Sequence, residues 1–266
     1  MRAWLKELDE LLRGRSTSRE ALAEGTAHLR LAPLVWTSIA LGLVYGVFMG
    51  IFAVANRDDP HRWLQLLATM VKLPALFLFT LVVTFPSLYV FSALLGVRLG
   101  PVDTLRLLVA AIAVNLAVLA SLGPITGFFT VSTTSYHFMK LLNVLFFAIA
   151  GTIGLGFLLN TLRRLEEAQG VEQAPAAEAG NPGEGPDEAG AEAPPNLVPW
   201  PLPPRKTRAR TVFQVWVVLY AVVGAQMGWI LRPFIGDPEL PFVWFRGREA
   251  NIFIDFFRTL GELLGG

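Results

Sequence analysis

The stretch Ala32–Ala55 reads APLVWTSIALGLVYGVFMGIFAVA and carries no charged side chain. A helix needs about 20 predominantly apolar residues to cross the ~30 Å hydrocarbon core of a bilayer. The stretch therefore predicts a transmembrane helix. The preceding residues, Met1–Leu31, mix charges of both signs and contain no apolar run, so we expect this first span to insert as an uncleaved signal-anchor.

Four further uncharged apolar runs of similar length follow along the chain. Charged residues make up only 16% of the sequence, whereas ordinary globular domains contain about 25%. The sequence therefore predicts an all-α integral membrane helical bundle with five transmembrane helices. The four additional runs are Leu73–Leu95, Leu107–Val131, Leu141–Asn160 and Thr211–Leu231.

The polar segments divide the chain into four parts. Residues 1–31 form an amphipathic N-terminal segment, and residues 32–164 form a four-span membrane core. Residues 165–210 are rich in Ala, Glu, Gly and Pro, a composition that cannot bury enough apolar surface to fold, and they end in a basic cluster. We expect them to form a disordered linker. Residues 211–266 supply the fifth span, an outer loop and an amphipathic helix predicted to lie in the membrane interface.

The distribution of basic residues predicts an orientation. With five crossings, fourteen of the 22 Lys and Arg residues fall on the side of the N-terminus. Cytoplasmic loops carry the excess of basic residues in membrane proteins. We therefore expect a multi-pass protein of the bacterial cytoplasmic (inner) membrane, with the N-terminus inside and the C-terminus outside.

The connection between the third and fourth spans is ambiguous. Gly123-Pro124 interrupts the third span, and the stretch Ile125–Met139 is rich in Ser and Thr. This stretch is either a re-entrant turn or an outer loop, and the sequence favours the loop.

Small residues recur at intervals of four in two spans. Gly42, Gly46 and Gly50 lie on one face of the first span, and Gly224 and Gly228 repeat the spacing in the fifth. Such faces let two helix backbones approach closely. We favour packing within the bundle, and a homo-oligomer formed through either face is the alternative.

Few polar side chains lie within the spans. Asn115, Asn143 and Gln226 are the candidates, with His137 near a span end. No ionisable residue is expected in the middle of any span, which argues against a carrier coupled to protons or cations. We interpret the amides as interhelical hydrogen-bond partners, and a permeation path is the alternative.

The sequence gives no indication of catalysis. It contains no cysteine, no metal-protease motif, no serine nucleophile elbow and no glycine-rich phosphate loop. It also lacks the basic stripe with interleaved aromatic residues that is typical of nucleic-acid binding. We therefore expect a non-enzymatic protein with no cofactor, no bound metal and no nucleic-acid partner.

The most distinctive string, GAQMGWILRPFIG, spans Gly224–Gly236 and contains Gln226, Trp229 and Arg232. Trp229 suits an interfacial aromatic belt, and Arg232 suits the outer headgroups. One interpretation is an anchor for the last span. The alternative is an outward-facing site that includes Gln226 and Arg232.

Residues Gln226–Gly236 of this string, together with the stretch from Lys72 through Tyr89, resemble a family of uncharacterised bacterial polytopic membrane proteins. The five-span plan is also similar in architecture to Yip1-type membrane proteins. The first resemblance implies no activity. The second implies a membrane-organising or adaptor role without catalytic residues, although the long acidic linker departs from the compact Yip1-type loops.

Taken together, these features favour a scaffold or accessory subunit that binds membrane lipids and other membrane proteins. The alternative is a transporter or channel component in which Asn115, Asn143, Gln226 and His137 line a polar path.

Overall fold

The protein is all-α in this computed structural model. The structure describes residues 2–18, 20–21, 29–56, 60–94, 100–178, 205–236, 241–245, 254 and 258–262. Within these residues there are six helices of eleven residues or more. They are α1 (Arg2–Leu12), α2 (Leu31–Asn56), α3 (Arg62–Leu94), α4 (Pro101–Ser132), α5 (Tyr136–Glu178) and α6 (Arg205–Leu231).

The helices α2 to α6 run alternately up and down. We call the end of the bundle where α2 begins the near end, and the end where α2 finishes the far end. Helix α2 packs against both α3 and α4, α5 packs on α4, and α6 packs on the outer side of α3. The short helix α1 lies against α2 and α4 at the near end, where Leu11 is fully buried.

Large apolar side chains face outward along the helices, including Trp36, Phe79, Val82, Phe128 and Val131. Soluble monomers rarely expose large contiguous apolar patches. In the described part of the chain, four helices are long and apolar enough to cross a membrane, and α6 contributes a shorter apolar stretch, Val215–Leu231. The chain is therefore a multi-pass integral membrane protein of the helical class.

Several helix boundaries differ from the sequence predictions. Helix α3 begins at Arg62, eleven residues before the predicted start of the second span at Leu73, and continues through Lys72. Helix α4 continues through Pro124 to Ser132, and only residues 133–135 connect it to α5. The re-entrant turn is therefore wrong, and the predicted loop is confined to residues 133–135, with helix on either side.

The polar segments are described only in part. Helix α5 continues beyond Arg164 to Glu178, into residues that we assigned to the linker. The remainder of that linker up to residue 204, and most of the predicted C-terminal amphipathic helix, lie outside the described residues.

Candidate functional site

The glycines of α2 fix the register between α2 and α3. A Cβ atom at Gly42 would lie 2.9 Å from the Cβ of Pro74, and one at Gly46 would lie 2.7 Å from the Cα of Met70. A Cβ at Gly50 would meet Leu66 at 2.7 Å. The glycine face of α2 is thus filled by α3 of the same chain, and a dimer formed through this face would have to displace α3.

Lys72 lies at mid-height in the bundle. It falls midway between Met70 and Pro74 on α3, which places its backbone level with residue 44, the midpoint of α2. The Lys72 side chain is only 4% exposed. The prediction that no ionisable residue lies in the middle of a span is therefore wrong. We had read Lys72 as the entrance of the second span, although the helix begins ten residues earlier at Arg62.

Helix α6 ends near the same level. Gly224 of α6 lies beside Thr80 of α3, and Gly228 lies beside Leu76. The helix finishes three residues later, at Leu231, and the chain continues as non-helical backbone through residues 232–236. Non-helical backbone at membrane depth requires hydrogen-bond donors from the protein, because lipid tails supply none.

Three buried side chains on one face of α3 supply those donors. The Nε2 atom of Gln65 donates to the carbonyl oxygens of Pro233 at 3.2 Å and Phe234 at 2.9 Å. The Thr69 hydroxyl also donates to the Phe234 carbonyl. The spacing of Gln65, Thr69 and Lys72 places them one above another on the helix surface. We call these three residues the polar face of α3.

The Lys72 ammonium group binds two segments that follow α6. Its Nζ atom donates to the carbonyl oxygen of Pro233 at 3.2 Å and to that of Trp244. It also lies 5.1 Å from the centre of the Phe245 ring, within the range of a cation–π interaction. Among the residues that the structure describes, no carboxylate forms an ion pair with Lys72. Its charge is stabilised by backbone dipoles and by an aromatic ring.

Trp229 and Arg232 lie beside this cluster. The Arg232 guanidinium stacks 3.6 Å from the Trp229 ring centre, and Trp229 is buried. Both residues lie close to the level of Lys72, whereas the sequence predicts Trp229 in an interfacial aromatic belt and Arg232 at the outer headgroups. Gln226, one turn earlier, is half-buried.

Asn143 is committed to structural hydrogen bonds within the bundle. It is 2% exposed, accepts a hydrogen bond from the Tyr45 hydroxyl at 2.7 Å, and donates one to the Met139 carbonyl at 2.8 Å. Asn115 packs against Gly154, and its Oδ1 atom is buried without a hydrogen-bond partner in the structure. Gly154 is eleven residues beyond Asn143 on α5, so the two amides are separated by about 16 Å along the helix axis.

His137 lies at the far end, outside the bundle core. It is exposed, and its Nε2 atom lies 3.0 Å from a carboxylate oxygen of Glu262. One turn later the Lys140 ammonium donates to the Thr259 hydroxyl at 2.9 Å. These contacts hold the helical residues 258–262 against the start of α5. The structure therefore does not bring His137 together with Asn115.

The polar face of α3 is the main feature that the sequence prediction missed. The repeated spacing of Gln65, Thr69 and Lys72 was visible, but their partners lie more than 160 residues away in the chain. Within the described part of the chain, no cluster of three or more His, Cys, Asp or Glu residues could hold a metal ion.

Comparison with known proteins finds no matching family model, no matching curated protein and no matching solved structure.

Proposed function

We propose that this protein is a non-catalytic scaffold or accessory subunit of the bacterial cytoplasmic membrane, which binds other membrane proteins or lipids. It crosses the membrane five times, with the N-terminus inside and the C-terminus outside. The fifth crossing begins as α6 and is completed by residues 232–236 along the polar face of α3.

This proposal rests on the observation that the polar side chains inside the bundle form hydrogen bonds with other groups of the same chain. Asn143 pairs with Tyr45, the Trp216 indole donates to the Thr84 carbonyl at 3.2 Å, and Gln65 and Lys72 bind backbone carbonyls. Polar groups that bind one another stabilise a closed bundle and leave few free to bind a substrate. This pattern supports a structural role.

A transporter or channel component is the second candidate. The observation that favours it is the buried Lys72 beside non-helical backbone at mid-height, since transporter sites are often built where a helix ends within the membrane. Against it, Asn115 and Asn143 lie far apart, and His137 lies at the surface. The polar path that we considered from the sequence therefore receives little support.

Affinity purification of the intact protein from its own membranes in mild detergent tests the proposal. The mass of the purified complex and the proteins and lipids in it are then identified by mass spectrometry. A membrane-protein partner in fixed stoichiometry is expected. Recovery of the chain without any protein partner, with only a specific small molecule retained, would favour the transporter candidate instead.

The substitution Gln226→Leu separates the two candidates further. If Gln226 is an interhelical hydrogen-bond partner, Gln226→Leu should mainly lower the stability of the protein in detergent. Flux of a retained small molecule across reconstituted vesicles is the second readout. Loss of flux with unchanged thermal stability would support a permeation site.

A further inference from the structure

The end of α6 and the segments that follow it form an arrangement of acceptors around a single cation. The Pro233 and Trp244 carbonyl oxygens accept hydrogen bonds from the Lys72 ammonium, and the Phe245 ring faces it. We propose that these groups form a binding site for a primary ammonium ion, which Lys72 occupies in this structure. The inference goes beyond the proposed function and holds for either role of the protein.

The chemistry of the site matches an ammonium group. A primary ammonium has three N–H donors and no acceptor. In the described part of the chain, the groups that contact the Lys72 nitrogen are two carbonyl acceptors and an aromatic face. The C-terminal end of a helix carries partial negative charge, and α6 ends two residues before Pro233. In discontinuous membrane helices, cations are held by the carbonyl groups of the unwound backbone and by the C-terminal ends of the half-helices.

The Pro233 side of the site is held in place by contacts that do not involve Lys72. Gln65 and Thr69 bind the carbonyl oxygens of Pro233 and Phe234 from the same face of α3. Gly236 adopts a positive φ of 77° and lies against Gln65, where a Cβ atom would come within 2.7 Å of the Gln65 side chain. Removal of the Lys72 side chain therefore leaves the Pro233 carbonyl oxygen in position and vacates the space that the ammonium group fills.

The size of the ligand follows from the side chain that is removed. Lys72→Ala deletes three methylene groups and the ammonium nitrogen, and propylammonium has the same atoms in the same order. We expect ammonium and short primary alkylammonium ions to bind the variant. Tetramethylammonium has no N–H donor and should not bind.

The test measures the thermal unfolding of the purified full-length protein in detergent at constant ionic strength. Lys72→Ala should lower the Tm, and propylammonium chloride should raise it again with saturation, since a ligand that binds only the folded state stabilises it. Tetramethylammonium chloride and sodium chloride should not restore the Tm. The wild-type protein should respond to none of these salts beyond a shared effect of ionic strength.

Lys140→Ala is the matched control. Lys140 donates to a side-chain hydroxyl, that of Thr259, at the far end of the bundle. Propylammonium should leave the Tm of this variant unchanged. The proposal would be overturned if propylammonium raised the Tm of both variants equally, or if it did not raise the Tm of Lys72→Ala.

If Lys72→Ala does not fold, two further variants decide the question. Lys72→Arg keeps the donors and the charge, whereas Lys72→Met keeps the approximate length without either. The proposal predicts that the Arg variant has the higher Tm. Equal stability of the two variants, or a more stable Met variant, would contradict it.

Discussion

The contact between α2 and α3 can be tested at Gly46. A Cβ atom at this position would lie 2.7 Å from the Cα of Met70 and 3.1 Å from the Thr69 carbonyl oxygen. Carbon atoms in van der Waals contact lie about 3.5–4.0 Å apart, so Gly46→Ala must separate the helices locally by about 1 Å. Both neighbouring atoms belong to the backbone and cannot rotate away. Overpacking of this kind typically costs about 1–3 kcal/mol.

Gly156→Ala is the matched control for this prediction. A Cβ atom at Gly156 would meet nothing within 4 Å, although the chemical change is the same. Alanine favours a helix over glycine by up to about 1 kcal/mol, so this variant should be as stable as the wild type or slightly more stable.

Both variants are compared by reversible unfolding in mixed micelles, followed by circular dichroism. Gly46→Ala should unfold at a lower denaturant concentration than Gly156→Ala. Equal midpoints would refute the register of α2 against α3, and with it the placement of Lys72 at mid-height.

Three further predictions concern the other polar groups. Tyr45→Phe removes the donor to Asn143 and should lower the free energy of unfolding by about 1 kcal/mol in the same assay. An unchanged free energy of unfolding would mean that this hydrogen bond contributes nothing to stability. Asn115→Leu should lower the free energy of unfolding by less than Tyr45→Phe, because the Asn115 Oδ1 atom has no hydrogen-bond partner among the described residues. A larger loss of stability would indicate a contact or ligand at Asn115. Lys140→Met should raise amide hydrogen exchange around Thr259 with little change in global stability, and unchanged exchange would show that this contact does not hold residues 258–262.

Hydropathy was sufficient to predict the class of the protein and the first span. The prediction of Ala32–Ala55 differs from α2 by one residue at each end, because charged or polar residues flank this apolar run on both sides. The predicted second span begins at Leu73, directly after Lys72, since a lysine usually marks the end of a membrane helix. Its partner Pro233 lies 161 residues away, and no local pattern could reveal that contact.

The prediction that the Ser- and Thr-rich stretch after Pro124 is not helical differs from the structure for another reason. Hydroxyl groups there donate to carbonyl oxygens one turn earlier in the same helix, as Thr130 does to Thr126 at 2.9 Å and Ser132 to Phe128 at 2.9 Å. A hydroxyl group that donates its hydrogen bond to the backbone of its own helix can lie on a membrane helix without a polar neighbour. Composition alone cannot distinguish such a helix from a loop.

The glycine spacing predicted a close helix contact but could not identify the partner. Either a second copy or another helix of the same chain could fill the face of α2. The structure places α3 there through Pro74, Met70 and Leu66. The polar face of α3 could not be assigned a role from sequence, since its partners belong to a segment predicted as an outer loop.

In the topology that we propose, the chain crosses the membrane an odd number of times, and the fifth crossing is completed along the polar face of α3. The protein contains no cysteine, so single cysteines can be introduced and labelled without background. The decisive measurement is the accessibility of Ser18→Cys, Thr134→Cys and Glu262→Cys to a membrane-impermeant maleimide in intact and in permeabilised cells. The account predicts that Thr134→Cys and Glu262→Cys are labelled from outside and that Ser18→Cys is labelled only after permeabilisation. Labelling of Ser18→Cys and Glu262→Cys from the same side would contradict it.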